Sequence, residues 1–374
     1  MRCSKMSSFI VMDIVRDALK YDDCVHFEIG QPDLPPSPKV KKALHDAIDN
    51  DKFSYTQSSG LYELREKIAK SYKKNYGVII DPKRIFLTPG TSGAFLIAYF
   101  LTLKHSSKLG LSDPSYPCYK NFAHVLDIKP TFIDIGKEDN YELHVENLKN
   151  QNLDALQISS PSNPIGNIYD KDNLKNLVEY CDKSNISFIS DELYHGLTYD
   201  KDANSALEFS ENAYVINGFS KFYCVPGNRL GWIIVPKHKL KEARKVAQNF
   251  FISAPTLSQY GALEAFDDDY QKIVKQEFKK RRDFLYEELS QIFKIPIKPE
   301  GAFYIWADIS KYSSDSFKFA RELLEDIHVA STPGIDFGDN KTHKYIRFAY
   351  TRDIKHMKEG VERLKRYLSG YRKS

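Results

Sequence analysis

Cysteine is scarce in this sequence, and its distribution excludes a disulfide framework. The 374 residues include five cysteines, none of them in a Cys-x-x-Cys pair: Cys3, Cys24, Cys118, Cys181 and Cys224. An odd and scattered set is typical of proteins from a reducing compartment. The apolar run Phe9–Met12 is broken at once by Asp13 and is too short for the core of a signal peptide. These features predict a cytoplasmic protein.

Long apolar runs and a charge excess are also missing. No stretch approaches the ~20 apolar residues that a membrane-spanning helix needs. The 54 lysine and arginine residues nearly balance the 50 aspartate and glutamate residues, and they are spread along the chain. We therefore expect neither a membrane protein nor a nucleic-acid-binding surface. A composition of 42% hydrophobic and 28% charged residues is ordinary for a globular enzyme, and the length favours two lobes.

Short apolar runs rich in β-branched residues or Phe alternate with helical patterns. Five of these runs each lead into a polar or Gly-rich turn, at residues 84–87, 108–111, 155–158, 186–189 and 214–216. A helix with one apolar face is expected from Asp170 to Lys183. This alternation predicts an α/β domain with a mainly parallel sheet between helices. In such sheets, residues just after the carboxyl ends of the strands line the ligand crevice.

A second, discontinuous lobe is predicted from the two ends of the chain. A long charged helix from Tyr270 to Leu289 is expected to link the lobes. Strand-like runs follow at Gly301–Trp306 and Lys344–Phe348, and helical stretches at Ser316 to Asp326 and Ile354 to Leu368. These patterns predict three regions: an N-terminal arm with part of a small α+β domain at 1–40, a large domain at 41–275 and the C-terminal small domain at 276–374.

The segment with the most specific chemistry is Ser220–Gly231. Lys221 stands at a predicted strand end, and Arg229 follows eight residues later in a loop that contains Gly and Pro. A lysine can form a Schiff base with an aldehyde, and an arginine can bind a phosphate with its planar fork. By itself, a Ser-Lys pair is more typical of a solvated surface turn. The interpretation of Lys221 and Arg229 therefore depends on the other motifs of the chain.

This segment resembles the lysine signature of the class I/II aminotransferases that depend on pyridoxal 5'-phosphate (PLP), fold-type I proteins of the aspartate aminotransferase superfamily. Further motifs of that family follow in its order across roughly residues 25–365: Gly30–Asp33, Tyr55 with Gly60 and Leu64–Arg65, Thr88–Phe95, Asp113–Pro117, Asn163–Gly166, Asp191–Tyr194, Thr332–Gly334, Phe337–Gly338 and Tyr345–Arg347. Asn228 departs from the pattern, because relatives commonly have an aromatic residue there. The resemblance implies a seven-stranded sheet in the large domain, PLP as cofactor and a homodimer.

The resemblance also implies roles around the cofactor ring. Lys221 would hold the cofactor and act as general base and acid. Asp191 would pair with the protonated pyridine nitrogen, although an isolated aspartate of this kind is typical of a helix N-cap. Asn163 and Tyr194 would hydrogen-bond the phenolic oxygen of PLP.

A second group of residues would bind the phosphate of the cofactor. The backbone N–H groups of Thr91 and Ser92 would do so at a helix start, where a phosphate is favoured. Ser220 and Arg229 would complete the site. Tyr55 matches the tyrosine that reaches the partner subunit's cofactor in the family, and its alternative role is local packing in a loop.

The remaining implied roles concern the substrate and the face of the ring. Arg347 would bind the α-carboxylate of the substrate, a task that favours Arg over Lys. Gly30 would approach that carboxylate closely, and Asn163 would contribute to the same site. Tyr116 would stack on the pyridine ring, with Tyr119 as a competing candidate.

The sequence therefore predicts a transaminase that moves an amino group between an α-amino acid and a 2-oxo acid. The alternative is a PLP-dependent carbon–sulfur β-lyase on the same fold, which would form an oxo acid without any amino acceptor. A non-catalytic PLP-binding module is disfavoured, because such proteins carry an added DNA-binding domain and none fits before residue 25. The amino donor and acceptor stay open, and no metal site is expected.

Overall fold

The computed structural model describes residues 2–370, with the side chains of the first two of these excepted. Twelve strands run in chain order: β1 Val25–His26, β2 Ile85–Pro89, β3 Lys108–Asp113, β4 Lys129–Asp134, β5 Ala155–Ser159, β6 Ser187–Asp191, β7 Tyr214–Gly218, β8 Leu230–Ile234, β9 Tyr304–Asp308, β10 Val329–Ala330, β11 Thr332–Pro333 and β12 Tyr345–Ala349.

Helices separate most of these strands. The α-helices of the described residues are α1 Ile10–Ala18, α2 Pro38–Asp49, α3 Tyr62–Tyr76, α4 Gly90–Thr102, α5 Cys118–Val125, α6 Val145–Leu148, α7 Lys171–Lys183, α8 Leu240–Phe250, α9 Thr256–Ala262, α10 Asp268–Ser290, α11 Ser316–Ile327 and α12 Ile354–Ser369. Short 3-10 turns lie at Arg2–Lys5, Pro82–Arg84, Lys137–Asp139, Ala206–Glu208, Pro226–Asn228, Lys237–Lys239, Gly334–Asp336 and Thr342–Lys344.

The large sheet has seven strands in the order β2-β8-β7-β6-β5-β3-β4. Only β8 runs antiparallel to its neighbours, β2 and β7, and the other pairings are parallel. The prediction of a mainly parallel seven-stranded sheet is confirmed. Helix α4 packs against this sheet and is apolar around most of its circumference, as expected for a helix buried on nearly all sides.

Two strands of the large sheet, β4 and β8, were not among the expected runs. Strand β4 lies at the edge of the sheet and buries only one of its six residues, so its sequence lacks a continuous apolar run. Strand β8 is fully buried, but it follows directly on the loop that contains Arg229. The segment Ser220–Gly231 was interpreted as a single motif, so the strand that begins at Leu230 was not predicted separately.

The small domain combines both chain ends. An antiparallel sheet has the order β11-β12-β9, and β1 pairs in parallel with β10, with Val25 opposite Val329. Phe27 packs on Phe348 with ring centroids 5.6 Å apart, which joins the two ends in one core. The predicted limit at residue 275 falls inside the linking helix α10, and the domain limits remain a prediction.

Candidate active site

A cavity of about 610 Å³, here called the first cavity, lies at the carboxyl ends of the strands of the large sheet. Ser159 ends β5, Asp191 ends β6, and Lys221 follows β7, and all three line it. The small domain adds side chains from β9 and β12. Every predicted site residue except Tyr55 lines this cavity: Gly30, Thr91, Ser92, Tyr116, Asn163, Asp191, Tyr194, Ser220, Lys221, Arg229 and Arg347.

Asp191 is a buried carboxylate that its neighbours hold in one orientation. Its side chain is 4% exposed, the Tyr119 hydroxyl donates to Oδ2, and the Leu193 N–H donates to Oδ1 at 3.1 Å. Burial raises the pKa of Asp191 to about 6, against the opposing effect of these hydrogen bonds and of Lys221. The Asp191 carboxyl group is therefore mostly ionised at pH 7.

Lys221 carries an amine whose pKa is shifted toward neutrality. Burial lowers this pKa to about 8, the Arg347 and Arg229 cations act in the same direction, and Asp191 opposes them. The amine donates a hydrogen bond to the Gly30 carbonyl at 2.6 Å. A larger neutral fraction makes this lysine a better nucleophile and base than an exposed one.

The N-terminus of α4 is open toward the first cavity. No side chain caps the helix, and no acidic residue lies in its first turn, so the N–H groups of Thr91 and Ser92 have no side-chain acceptor there. Arg229 lies beside this helix start, because a Cβ on Gly90 would be only 2.5 Å from Arg229 Nη2. Gly90 also has a φ of +65°, which favours glycine. Open N–H groups and a guanidinium at one helix start form an anion-binding site.

Arg347 is a buried cation without an ion-pair partner in the described part of the chain, and the Asp336 carboxylate is near enough for the Arg347 charge to oppose the rise of its pKa. Arg347 is 5% exposed and forms no ion pair there. Nη1 donates to Asn163 Oδ1 at 2.9 Å, and Nη2 donates to the Glu28 carbonyl at 2.7 Å and to Thr332 Oγ1 at 3.1 Å. Nε has no hydrogen-bond partner, and the guanidinium lies 4.3 Å from the Tyr304 ring centroid. A buried cation of this kind needs an anion for its stabilisation.

Tyr304 is a member of the site that sequence reasoning missed. Its hydroxyl shares a hydrogen bond of 2.7 Å with the Tyr194 hydroxyl. A Cβ on Gly30 would be 2.2 Å from the Tyr304 oxygen, so glycine at position 30 is required by this tyrosine. The run Gly301–Trp306 was correctly expected to contain a strand, but its periodicity did not identify which side chain enters the site.

The N-terminal helix was missed as well. Its apolar face and the residue before it border the first cavity, with Phe9, Val11, Met12 and Val15. The buried carboxylate of Asp336 accepts the N–H groups of Ile10 at 3.0 Å and Val11 at 3.2 Å. Asp336 thus anchors the start of α1 across the chain, an arrangement that helix N-termini favour.

A sequence model of the family described as aminotransferase class I and II matches residues 22–364. The chain belongs to the class I and II aminotransferase family. This aminotransferase is 37% identical to the (5-formylfuran-3-yl)methyl phosphate transaminase of Methanocaldococcus jannaschii, over 98% of this chain and 99% of the relative. It is 31% identical to the valine–pyruvate aminotransferase of Mycobacterium tuberculosis, over 96% of each chain. The prediction of this family is confirmed.

Solved structures agree with the aminotransferase fold. The crystal structure of an aminotransferase from Mycobacterium tuberculosis superposes with a TM-score of 0.95 at 31% identity, covering 99% of this chain and 98% of that chain. The aspartate aminotransferase of Thermus thermophilus with maleate superposes with a TM-score of 0.92 at 25% identity, covering 98% of both chains. The agreement extends over both domains of the aminotransferase.

Tyr55 is the predicted site residue that does not line the first cavity of its own chain. It lies in the loop between α2 and α3 and is 79% exposed. The Thr256 hydroxyl donates to the neighbouring Ser54 carbonyl at 2.9 Å and attaches this loop to α9. The role of Tyr55 across a subunit interface remains a prediction.

No group of three or more His, Cys, Asp or Glu side chains among residues 2–370 is arranged to hold a metal ion. Over the same residues, no helix is both long enough and apolar enough to cross a membrane.

Proposed function

We propose that this chain is a PLP-dependent aminotransferase that moves an amino group between an α-amino acid and a 2-oxo acid. The observation that carries the proposal is the pairing of Lys221 with Arg347 in one cavity. The lysine amine has a lowered pKa, and the buried guanidinium forms no ion pair with a described residue and has an Nε without a hydrogen-bond partner. Together they suit a substrate that carries both an amine and a carboxylate.

The charged groups of the first cavity fit PLP at three separate points. The open start of α4, with Thr91, Ser92 and Arg229, suits the phosphate, and Ser220 lies at the same cavity. Asp191 suits the protonated pyridine nitrogen, and Lys221 suits the aldehyde. When bound, PLP supplies an aldehyde that captures amines and a ring that accepts electron density from the substrate's α-carbon.

Contacts within the cavity support the assignment of the ring-binding residues. The Tyr119 hydroxyl is committed to Asp191, so we assign the stacking role to Tyr116. Asn163 uses its oxygen to accept from Arg347, which leaves its N–H groups for the phenolic oxygen of the cofactor. Tyr194 is assigned to the same oxygen, with its hydroxyl oriented by Tyr304.

Substrate binding and proton transfer are assigned to the side of the cavity near Gly30. Arg347 would bind the α-carboxylate with its unpaired Nε and its neighbouring N–H groups. Lys221, whose amine now donates to the Gly30 carbonyl, would take the proton from the substrate's α-carbon and hold it as general base. Asn163 and Thr332 orient Arg347, which would set the position of that α-carbon relative to the amine.

The apolar wall formed by α1 affects which side chain of the amino donor the first cavity prefers. Phe9, Val11, Met12 and Val15 are apolar, and the lysines and arginines that the described residues place at the cavity are Lys221, Arg229 and Arg347. These three cations are already assigned to the cofactor and to the α-carboxylate. We therefore expect donors with uncharged side chains to be preferred over aspartate and glutamate.

We further propose a homodimer in which Tyr55 reaches the phosphate of the partner subunit's cofactor. Two segments near the α9 contact expose large hydrophobic side chains, namely Phe53, Tyr55, Phe250 and Ile252. Apolar clusters of this kind on a surface favour an interface. A symmetric dimer would bring the same segment of each chain to the other.

Mixed dimers test the shared site. Lys221→Ala and Tyr55→Ala chains are refolded together, so that in a hybrid the site with intact Lys221 takes its tyrosine from the Lys221→Ala chain. Recovery of up to half the wild-type activity per hybrid is expected. Recovery no greater than the average of the parents would show that Tyr55 serves its own subunit, and a stable, active monomer in sedimentation would reject the dimer itself.

We also propose a cytoplasmic location. The four cysteines with described side chains are free thiols. Burial raises the pKa of Cys24, Cys181 and Cys224 to about 12, which makes them inert at neutral pH. Fractionation of host cells, with antibody detection of the chain, tests this proposal.

Transamination is tested with a panel of amino donors, using 2-oxoglutarate and pyruvate as acceptors. We expect oxo acid formation that requires an acceptor, and borohydride reduction of the PLP-loaded protein followed by peptide mapping should label Lys221. Steady oxo acid formation without an acceptor, with release of a thiol, would identify the carbon–sulfur β-lyase instead. Labelling at another lysine would reject Lys221 as the cofactor residue.

A further inference from the structure

A second cavity of about 360 Å³ lies beside the segments that carry Lys221 and Tyr194. Helix α3, strand β8 and the start of α10 contribute to it, together with the residues that follow β6 and β7. Phe222 and Tyr223 come directly after Lys221, and His195 comes directly after Tyr194. The second cavity therefore shares two backbone segments with the first cavity, but none of the predicted site residues lines it.

Three buried polar atoms in the lining of the second cavity have no close hydrogen-bond partner: the Tyr72 hydroxyl, the Trp232 Nε1 and the His195 Nε2. Tyr72 is 2% exposed and Trp232 is 1% exposed, and the Trp232 side chain lies near enough to the Tyr72 hydroxyl to oppose the rise of its pKa by hydrogen bonding. An indole N–H can only donate, and a phenol hydroxyl donates readily. The Tyr72 oxygen faces the indole N–H, which leaves the Tyr72 O–H as a buried donor. Because buried donors are nearly always paired, this hydroxyl favours an acceptor oxygen at this end of the cavity.

The middle of the second cavity is lined by aromatic rings. The Tyr223 ring centroid lies 5.5 Å from that of Phe266 and 6.5 Å from that of Trp232. The ring centroid of Tyr76 lies 5.5 Å from that of His195. Such walls suit a flat aromatic ring, which gains dispersion and edge-to-face contacts there.

The mouth of the second cavity is rich in lysine. Three of its lysines pair with carboxylates at N–O distances of 2.5 to 3.3 Å: Lys39 with Asp267, Lys67 with Glu264 and Lys74 with Asp268. Lys70 also borders the cavity and forms no ion pair with a described residue. Lys70 is therefore the lysine at the mouth that is available to bind a monoanion.

We propose that the second cavity binds a small aromatic monocarboxylate that carries a hydroxyl on its ring. The ring oxygen accepts from the Tyr72 hydroxyl, the Trp232 N–H faces the Tyr72 oxygen, the ring lies among the aromatic side chains, and the carboxylate faces Lys70. The volume falls within the range of small-molecule sites, about 300–1,000 Å³. The proposal does not depend on the proposed transamination, because it concerns a separate cavity.

Calorimetry with 4-hydroxyphenylacetate tests the proposal. This probe has neither an amino nor a 2-oxo group, so it is not a transamination substrate. The full-length, PLP-loaded protein is used with an Arg347→Leu substitution, which removes the carboxylate anchor of the first cavity. We expect saturable binding of one probe per chain to persist in this background.

Matched variants in the same background locate the probe. Tyr72→Phe removes only the hydroxyl, and we expect it to weaken binding by about tenfold. Lys70→Met should weaken binding by about threefold, since an exposed charge pair contributes less. Lys73→Met is the control, because Lys73 is exposed on the same helix but does not border the cavity. Its affinity should stay within about twofold of the parent.

A deoxy probe provides a test that does not rely on a folded variant. Phenylacetate lacks the ring oxygen, so it should bind the parent about tenfold more weakly than 4-hydroxyphenylacetate, and Tyr72→Phe should bind both probes alike. Absence of saturable binding in the Arg347→Leu background would overturn the proposal. Equal affinities of the two probes for the parent, or a crystal structure with the probe only in the first cavity, would also overturn it.

Discussion

Asp191 and Glu192 are consecutive buried acids with different surroundings. Asp191 faces the first cavity, where Tyr119 donates to it and the Lys221 cation opposes the rise of its pKa. Oε1 of Glu192 accepts from the Ser190 hydroxyl, the Ser205 hydroxyl and the Ala206 N–H at 3.0 to 3.2 Å. Burial raises the pKa of Asp191 to about 6 but that of Glu192 to about 8.

The difference shows what keeps a buried acid ionised. Burial is the largest influence on both pKa values, and hydrogen bonds oppose it in both, chiefly from Tyr119 and Leu193 for Asp191. The nearby charges differ in sign, because Lys221 lowers the pKa of Asp191 while Glu208 raises that of Glu192. At pH 7 Asp191 is mostly anionic and Glu192 is mostly neutral. The same short segment thus supplies an anion to the first cavity and an uncharged structural group to the neighbouring core.

The largest expected effect comes from removing the charge of Asp191. In Asp191→Asn, we expect kcat to fall by about a hundredfold or more, because a neutral amide does not keep the pyridine nitrogen protonated. The matched variant Glu192→Gln should keep kcat within about threefold, since Glu192 is already neutral. Steady-state kinetics of both variants, with circular dichroism as the folding control, make the comparison. Equal losses in the two variants would remove the distinction between the acids.

Arg347→Leu should have the next largest effect. We expect the KM for amino acids and for 2-oxo acids to rise by about tenfold to a hundredfold, because all of them share the α-carboxylate. Arg347→Lys keeps the charge without the planar fork and should fall between wild type and Arg347→Leu. A loss confined to dicarboxylic substrates would instead make Arg347 a selector of side chains.

Glu192→Gln should change how stability depends on pH. The pKa of Glu192 is raised from 4.5 to about 8 on folding. Between these two pH values the unfolded chain loses this proton while the folded chain retains it, so stability falls as the pH rises. Glutamine does not titrate, so the drop in Tm between pH 5 and pH 8 should be smaller than in wild type, by about 2 °C or more. Parallel Tm curves for the two proteins would contradict the raised pKa.

The smallest expected effect is a shift in the titration of Lys221. In the protein without cofactor, the rate at which Lys221 reacts with an added aldehyde should rise with pH and level off above about 8. Arg347 lowers this pKa by its charge, so Arg347→Leu should move the profile to higher pH, toward the ordinary value of 10.5. Stopped-flow absorbance measures both profiles. A profile that moves to lower pH would show that Arg347 does not act on Lys221 by its charge.

Much of the fold and of the candidate site could be predicted from the sequence, because the informative residues follow apolar runs. Asp191 and Lys221 stand at the ends of strands, and a parallel sheet brings such ends together. Their roles came from the family resemblance rather than from periodicity. Tyr304 and Asp336 could not be predicted in the same way. Their importance rests on contacts with Gly30 and with the N–H groups of α1, far away in the chain.

The order in which the strands of the two domains follow one another along the chain also has a consequence for biosynthesis. The large sheet uses strands from Ile85 to Ile234, so it can assemble as soon as β8 has left the ribosome. The small domain must wait, because β12, the middle strand of its three-stranded sheet, lies close to the end of the chain. During this interval the nascent chain already contains Asp191 and Lys221 but lacks Arg347. Translation therefore supplies the residues assigned to the cofactor first and the residue assigned to the substrate's carboxylate last.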